Sequence, residues 1–291
     1  MRLGLLFLGC ALTAACAQRA AEQSAATTTP APAAPAPSSE LAPPQDPEKW
    51  SQNVRPIMAG GGITEPDHLE DWDAAKRLAP GSQVFKNLKL LGEDRADTVV
   101  AAMQSMKASV GMGCKACHVK DDYASDEKDD KLAARAMIEM AAGINSHYFQ
   151  GETAVSCFTC HKGKDHPENE LPKDAVAAKP KSRVRQLTAA EASLPAEKVY
   201  KNIEMMKGME ARHVLGVMDN FTIALGVSCE FCHAENGDWA DDSNKHKKIA
   251  RGMSKMTQEL DAKFFKGEGE LSCWTCHGGK KEPAIRAAQG T

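Results

Sequence analysis

The stretch Leu271-Ser-Cys-Trp-Thr-Cys-His-Gly278 places two residues between a pair of cysteines and a histidine directly after the second cysteine. The same Cys-x-x-Cys-His spacing occurs at Cys114–His118, Cys157–His161 and Cys229–His233. The four copies contain eight of the ten cysteines in the 291-residue chain, and the other two lie in the first 16 residues. A single chemical explanation is therefore needed for all four motifs.

This spacing is the attachment signature of c-type haem. Two thiols one helical turn apart can add to the two vinyl groups on one porphyrin edge, and the histidine that follows can bind the iron as proximal ligand. The sequence thus predicts four covalently bound haem c groups. The predicted attachment residues are Cys114, Cys117, Cys157, Cys160, Cys229, Cys232, Cys273 and Cys276, and the predicted proximal ligands are His118, His161, His233 and His277.

Other uses of these cysteines fit the pattern less well. A disulfide framework gives no reason for a histidine after every second cysteine. Zinc ribbons and fingers need second ligand pairs at short distances, whereas the first cysteines of successive motifs here are 43, 72 and 44 residues apart. The formal net charge of -3 is too small to indicate binding to nucleic acid or to an anionic membrane.

The N-terminus is typical of an export signal. Residues 1–16 have a short basic start and an apolar run of about a dozen residues, which predicts a signal peptide and is too short for a membrane-spanning helix. Export to the periplasm agrees with haem c, which is attached outside the bacterial cytoplasm. Residues 17–48 are rich in Ala and Pro, and we expect them to form a disordered linker.

Two processing sites compete at the end of this signal. Ala15-Cys16-Ala17 would allow cleavage before Gln18, which makes the cysteine incidental. Leu12-Thr-Ala-Ala-Cys16 resembles a bacterial lipobox, in which Cys16 becomes lipidated. We expect the lipid anchor, because it explains both the cysteine and the tether-like segment that follows.

The remainder of the chain is predicted to be a duplication. Val84-Phe-Lys-Asn-Leu88 matches Val199-Tyr-Lys-Asn-Ile203 at an offset of 115, and the motifs recur at offsets of 115 and 116. Two repeats with two haem sites each follow from this pattern. The predicted division is a first repeat at 49–172, a connection at 173–196 and a second repeat at 197–291.

Methionines at fixed offsets are candidates for the distal iron ligands. Met103 and Met218 each lie 11 residues before the first cysteine of their repeat, on a helix-like run that ends in glycine. Met106 falls opposite Phe221 and is predicted to be packing. An isolated methionine on a helix is usually core, but recurrence beside a histidine-ligated iron favours ligation.

A second pair of candidates lies between the motifs of each repeat. Met137 and Met253 lie 20 residues before the second motif's first cysteine, and Met140 and Met256 recur three residues later. The repeat alone cannot choose within each pair, since both members share a helix face. The remaining histidines, one of which could replace a methionine as ligand, have no counterpart in the other repeat; they are His68, His147, His166, His213 and His246.

Acidic segments follow the first motif of each repeat, at Asp121–Asp130 and Asn236–Asp242. We expect solvated loops there. The alternative is an acidic docking face for a basic soluble cytochrome.

These residues resemble the tetrahaem cytochrome subunit of the photosynthetic reaction centre. The resemblance covers about Lys76 to Lys281. It rests on the Val84–Leu88 run, the offsets of Met103 and Met218, and three further stretches: Ala134–Met140 with Ala142–Asn145 after it, Cys157–Gly163 and Cys273–Gly279.

The resemblance implies an all-α, pseudo-twofold haem array that is often lipid-anchored outside the membrane and passes electrons one at a time. It also implies that Met137 and Met253, not their neighbours, are ligands. Well-known members have one haem with two histidine ligands and a longer segment between the repeats. Gly151 occupies the place of that second histidine here, so we expect four His/Met haems.

The expected function is therefore electron transfer and not catalysis. The expected partners are a membrane redox complex, such as a photosynthetic reaction centre, and a soluble cytochrome or similar electron donor. A non-photosynthetic respiratory cytochrome is the alternative. A multihaem oxidoreductase is the weaker one, because it needs an open iron position with acid–base groups beside it, and four methionines for four irons leave none.

Overall fold

The computed structural model describes residues 54–63, 67–177, 186–234 and 237–287. These residues fall in one compact unit. The candidate signal peptide, the linker and Cys16 lie outside them. Every regular element in the described residues is a helix and none is a β-strand, so the all-α prediction is confirmed.

Four long helices form the frame. We name them α1 (Ala96–Val110), α2 (Asp129–Tyr148), α3 (Ala211–Leu225) and α4 (Lys245–Phe264). α1 and α3 have 15 residues each, and α2 and α4 have 20 each, so the two halves of the chain use elements of equal length. None of the helices in the described ranges has an apolar run long enough to cross a bilayer.

Short helical elements connect this frame. Residues 54–58 are helical and continue into the 3₁₀ turn Ala59–Gly61. The others are Ala74–Leu78, Gly81–Val84, Cys114–Cys117, Cys157–His161, Lys173–Ala177, Ala189–Ala192, Ala196–Val199, the 3₁₀ turn Cys229–Phe231 and Cys273–His277. The predicted connection at 173–196 therefore contains short helices of its own.

Glycine ends both of the shorter frame helices. Gly111 follows α1 with φ 67° and Gly226 follows α3 with φ 63°, a left-handed conformation that glycine adopts without strain. A Cβ on Gly111 would lie 2.1 Å from the Gly163 carbonyl oxygen, and one on Gly226 would lie 2.2 Å from that of Gly279. The chain therefore needs glycine at both positions for conformation and for space.

The core of the first half is built on residues 54–61. Val54, Ile57 and Met58 are at most 1 % exposed. Met58 packs against apolar residues of α1 and α2, and Ile57 packs in a cluster that also includes Met140 of α2 and Leu260 of α4. Because α2 and α4 belong to different halves, this cluster joins the halves by apolar burial.

Polar side chains fix the loops that lead from α2 and α4 into the next motif. The Asn145 side-chain oxygen accepts a hydrogen bond from the Val155 amide at 2.8 Å, and an Asp261 oxygen accepts one from the Leu271 amide at 3.3 Å. Val155 and Leu271 each lie two residues before the first cysteine of a motif. These bonds set where the motif begins relative to its long helix.

The segments after the second motif of each half cross to the other half. Ser156 in the first half donates to the carbonyl of Ile285, and Ser272 in the second half donates to the carbonyl of Asn169. Asn169 and Ile285 each lie eight residues after the histidine of their own motif. The two tails are therefore exchanged between the halves.

Candidate haem sites

The four motif histidines share one hydrogen-bonding arrangement. Each places its Nδ1 atom at hydrogen-bond distance from a backbone carbonyl. The pairs are His118 to Tyr123 at 3.0 Å, His161 to Lys164 at 2.9 Å, His233 to Trp239 at 3.2 Å and His277 to Lys280 at 3.0 Å. A carbonyl only accepts, so Nδ1 carries the proton and Nε2 presents a lone pair. Metal-binding histidines are oriented in this way.

The motifs fall into two pairs. The inner motifs, Cys157–His161 and Cys273–His277, contact each other, with the sulfurs of Cys160 and Cys276 3.5 Å apart. The Lys162 ammonium reaches across the same contact to the Thr275 carbonyl at 2.7 Å. The outer motifs are Cys114–His118 and Cys229–His233. The contact between the inner motifs brings two of the predicted attachment sites together although they are 116 residues apart in sequence.

Each inner motif is an α-helical turn with a buried cap. Ser156 and Thr159 form a capping box, with the Ser156 amide donating to Thr159 Oγ1 at 3.0 Å. Ser272 and Thr275 repeat it at 3.0 Å. Both threonines are fully buried. The cap holds the two cysteines of the motif one turn apart on the same side, which is the geometry that attachment to one porphyrin edge requires.

The thiols of the inner motifs have shifted acidities. Burial raises the pKa of Cys157 to about 11. The hydrogen bond between Cys160 and Cys276 raises the pKa of Cys160, with burial acting in the same direction, and lowers that of Cys276. Cys276 is therefore the thiolate-prone member of this pair, and the thiolate is the reactive form of a cysteine.

The outer motifs depend on a buried lysine. The carbonyl of Tyr123, which pairs with His118, also accepts from Lys131 Nζ at 2.9 Å. Its counterpart is the Trp239 carbonyl, which pairs with His233 and accepts from a second lysine, Lys247, at 3.0 Å. In each half the lysine and the histidine are thus joined through one carbonyl oxygen.

A carboxylate, an arginine and an asparagine complete this arrangement in the first half. Asp126 pairs with Arg135 at 3.0 Å and with Lys131 at 3.3 Å, and accepts from Asn87 at 2.8 Å. The Arg135 hydrogen bond, followed by that of Asn87, holds the pKa of Asp126 well below its usual range. We call these four side chains the first polar cluster.

The second half repeats the arrangement with Asp242, Lys247, Arg251 and Asn202. Asp242 pairs with Arg251 at 2.9 Å and with Lys247 at 3.0 Å. The Asn202 side chain donates to the Ala240 carbonyl at 2.6 Å, as Asn87 does to that of Ala124 at the same distance. The Arg251 hydrogen bond is the main reason why the pKa of Asp242 is well below its usual range. The loops that the sequence predicted to be solvated are thus tied to a long helix.

One cavity of about 1150 Å³ joins the candidate residues of the first half. It exceeds the ~300–1,000 Å³ of ordinary ligand pockets. Its lining includes the cysteines and histidines of both motifs, and also Met103, Met106, Met137 and Met140. The donor set and the space fit two covalently held porphyrins.

The methionines within each candidate pair differ in burial. Met140 is 8 % exposed and belongs to the apolar cluster with Ile57, whereas Met137 is half-buried. Both Met103 and Met106 are half-buried and line the cavity. In the second half, the half-buried Met218 lies on α3 and Met253 on α4. The greater burial of Met140 is what a packing residue shows.

Sequence reasoning missed the two polar clusters. The signal was available, because Lys131 and Lys247 recur at an offset of 116 and Asn87 and Asn202 at an offset of 115. In the described ranges, no group of three or more His, Cys, Asp or Glu side chains could hold a metal ion.

Comparison with known proteins identifies a family for this chain. A family model described as photosynthetic reaction centre cytochrome C subunit matches residues 62–192 and 173–287. The chain belongs to this family. The predicted resemblance is confirmed, and the family's role is electron transfer by a c-type cytochrome.

Individual relatives of the chain are distant in sequence. The photosynthetic reaction center cytochrome c subunit of Rubrivivax gelatinosus is 27% identical over 253 residues, which covers 71% of this chain and 69% of the relative. That of Thermochromatium tepidum is 28% identical over 264 residues, or 75% and 65%. Cytochrome c-554 of Chloroflexus aurantiacus is 29% identical over 132 residues, or 39% and 32%.

Proposed function

We propose that this chain is an exported tetrahaem cytochrome that carries single electrons along four haem c groups with His and Met axial ligands. The observation that carries the proposal is the shared geometry of the four motif histidines, each with Nδ1 on a carbonyl and Nε2 available. A histidine that merely followed two cysteines by chance would have no reason to adopt this orientation four times.

The residues of the chain have separate tasks in this proposal. The eight motif cysteines hold the porphyrins through thioether bonds, and the histidine Nε2 atoms bind the proximal side of the iron. Met103, Met137, Met218 and Met253 bind the distal side. When bound, haem c supplies an iron that cycles between the ferrous and ferric states. Because both protein ligands stay in place, the chain needs little rearrangement for each electron.

The contact between the two inner motifs supports a route for electron transfer from one half of the chain to the other. Cys160 and Cys276 would belong to different porphyrins, and their sulfurs are 3.5 Å apart. The two inner sites are therefore neighbours in the proposed array, and an electron would pass from one half to the other there. In this proposal the halves are repeats that each hold two haems.

The proposed partner is a membrane redox complex. Three curated relatives are named photosynthetic reaction center cytochrome c subunits, so a reaction centre is the proposed electron acceptor. A soluble cytochrome is the proposed donor. Lipidated Cys16 would tether the protein to the periplasmic face of the membrane. We assign the protein no catalytic reaction.

Haem stoichiometry tests the first part of this proposal. The full chain, produced in a bacterium with its c-type haem maturation system, should have a mass increased by four haem groups. Replacing both cysteines of one motif by alanine should lower the count to three in each of four separate variants. A wild-type count other than four would contradict the proposal.

Flash spectroscopy tests the partner. In membranes of the source organism, haem c absorbance should show prompt oxidation after a flash, and deletion of this chain should abolish that signal. If light has no effect while a quinol or a soluble cytochrome reduces the haems, the same protein serves a respiratory chain.

A further inference from the structure

The buried lysines Lys131 and Lys247 have no role in haem attachment or ligation. Their side chains are only 11% and 10% exposed. Lys131 Nζ donates to three carbonyls, those of Tyr123, Ala124 and Ser125, at 2.9, 3.1 and 2.7 Å. A buried lysine is costly unless its charge is compensated, which calls for a reason why both halves keep one at this place.

Their position relative to the motif histidines supplies the reason. His118 and Lys131 share the carbonyl of Tyr123, so the ammonium group lies two hydrogen bonds from the imidazole. His233 and Lys247 share the carbonyl of Trp239 in the same way. We propose that Lys131 and Lys247 are positioning residues that raise the redox potential of the two outer haem sites. This inference rests on the function proposed above.

Two physical effects act in the same direction. Oxidation of the iron adds a positive charge, and a nearby cation in a poorly solvated place opposes that charge. A carbonyl that already accepts from an ammonium is also a weaker acceptor for the histidine N–H. The imidazole then donates less electron density to the iron, which disfavours the ferric state.

The carboxylate of each polar cluster moderates this effect. Asp126 lies 3.3 Å from Lys131 and Asp242 lies 3.0 Å from Lys247, and both are also paired with an arginine. Each cluster thus combines two cations and one anion, and in the second half Arg251 also pairs with a second carboxylate, that of Glu204, at 3.1 Å. Replacing the carboxylate by a neutral side chain should raise the redox potential of the outer haem site further, whereas replacing the lysine by a neutral side chain should lower it.

The inner sites provide an internal reference. Their histidines pair with the carbonyls of Lys164 and Lys280, each only three residues further along the chain. Lys164 directs its own ammonium to the carboxylate of Glu168. The inner histidines share no carbonyl with the lysines of the polar clusters, so a change in the clusters should shift the potentials of the inner sites less than those of the outer sites.

The test is a redox titration of three variants of the full haem-loaded chain. In Lys131→Met we expect one of four midpoint potentials to fall by about 59 mV, which is a tenfold change for one electron. In Lys247→Met a different midpoint should fall. In Asp126→Asn the midpoint that Lys131→Met lowers should rise.

The opposite signs separate electrostatics from loss of structure. A purely structural role for the cluster would move both first-half variants in the same direction, and that result would overturn the inference. Unchanged midpoints in haem-loaded Lys131→Met would overturn it as well. If Lys131→Met fails to retain its haem, Asp126→Asn decides alone, because an unchanged or lowered midpoint contradicts the inference. A wild-type chain without four haem groups would instead defeat the proposed function.

Discussion

The inner and outer motifs have the same five-residue pattern but different supports. An inner motif is capped by its own buried threonine and packs against the other inner motif. An outer motif has alanine or phenylalanine at the threonine position, at Ala116 and Phe231, and its histidine pairs with a loop held by a distant lysine. The four motifs therefore share one sequence pattern but differ in the contacts that hold them.

The largest effect on stability is expected where the helix before an outer motif contacts the end of an inner motif. Gly111 ends the helix before an outer motif and lies against Gly163, just after an inner motif. We expect Gly111→Ala to lower the free energy of unfolding by about 3–5 kcal/mol, because it adds left-handed strain to a backbone overlap. Denaturant unfolding monitored by circular dichroism measures this.

Gly113→Ala is the matched control for that change. Gly113 has φ -79° and no atom within 4 Å of an added Cβ. The control should unfold within about 0.5 kcal/mol of the wild type. Equal losses of unfolding free energy in the two variants would show that the contact between Gly111 and Gly163 has no special role in stability.

The proposed distal ligand of an outer site should give the next largest effect. We expect Met103→Ala to lower one midpoint potential by more than about 59 mV, the tenfold mark for one electron, and to let the reduced protein bind carbon monoxide. The reason is that a thioether ligand favours ferrous iron and closes its sixth position. A redox titration and a carbon monoxide difference spectrum measure the two changes.

Met106→Ala distinguishes ligation from packing at this site. Both methionines line the same cavity, so both variants should lose some packing energy. Only Met103→Ala should change the haem spectrum. A spectral change in Met106→Ala instead would reassign the ligand.

The threonine cap tests what is particular to the inner motifs. Thr159→Ala removes the hydroxyl that accepts from the Ser156 amide, and we expect a loss of about 1–2 kcal/mol in stability. Thr159→Ser keeps the oxygen and should recover most of this loss. Ala116→Ser in an outer motif should have little effect on unfolding, and a comparable effect there would remove the distinction between the motifs.

The exchanged tails should give an effect no larger than that of the threonine cap. Ser156→Ala removes the donor to Ile285 together with the side-chain oxygen of the capping box, and should cost about 1–2 kcal/mol. Hydrogen exchange followed by mass spectrometry should show faster exchange in residues 280–287. Ser272→Ala should instead loosen the segment around Asn169. Faster hydrogen exchange in the tail of the same half as the mutated serine would contradict the crossing of the tails.

Local patterns in the sequence were sufficient for part of this architecture. The family resemblance rested on short motifs and on the offsets of methionines, which local sequence expresses, and the all-α fold was what that resemblance implied. The division into 49–172, 173–196 and 197–291, the Met ligands and the lipidation of Cys16 stay predictions.

Long-range contacts could not be predicted in the same way. The crossing of the tails and the contact between Cys160 and Cys276 link residues 103 or more apart in sequence without a local signature. The burial of Lys131 and Lys247 depends on the fold of the loop around each lysine, which no local pattern of sequence marks. Comparing the repeats residue by residue would have identified them as candidates.

The exchanged tails have a consequence for biogenesis. Gly60, near the start of the described residues, accepts a hydrogen bond through its carbonyl from the amide of Ala287, near their end. The Ser156 hydroxyl donates to the carbonyl of Ile285. The first half therefore cannot reach its final form until residues 285–287, which follow all four motifs in the sequence, have been synthesised.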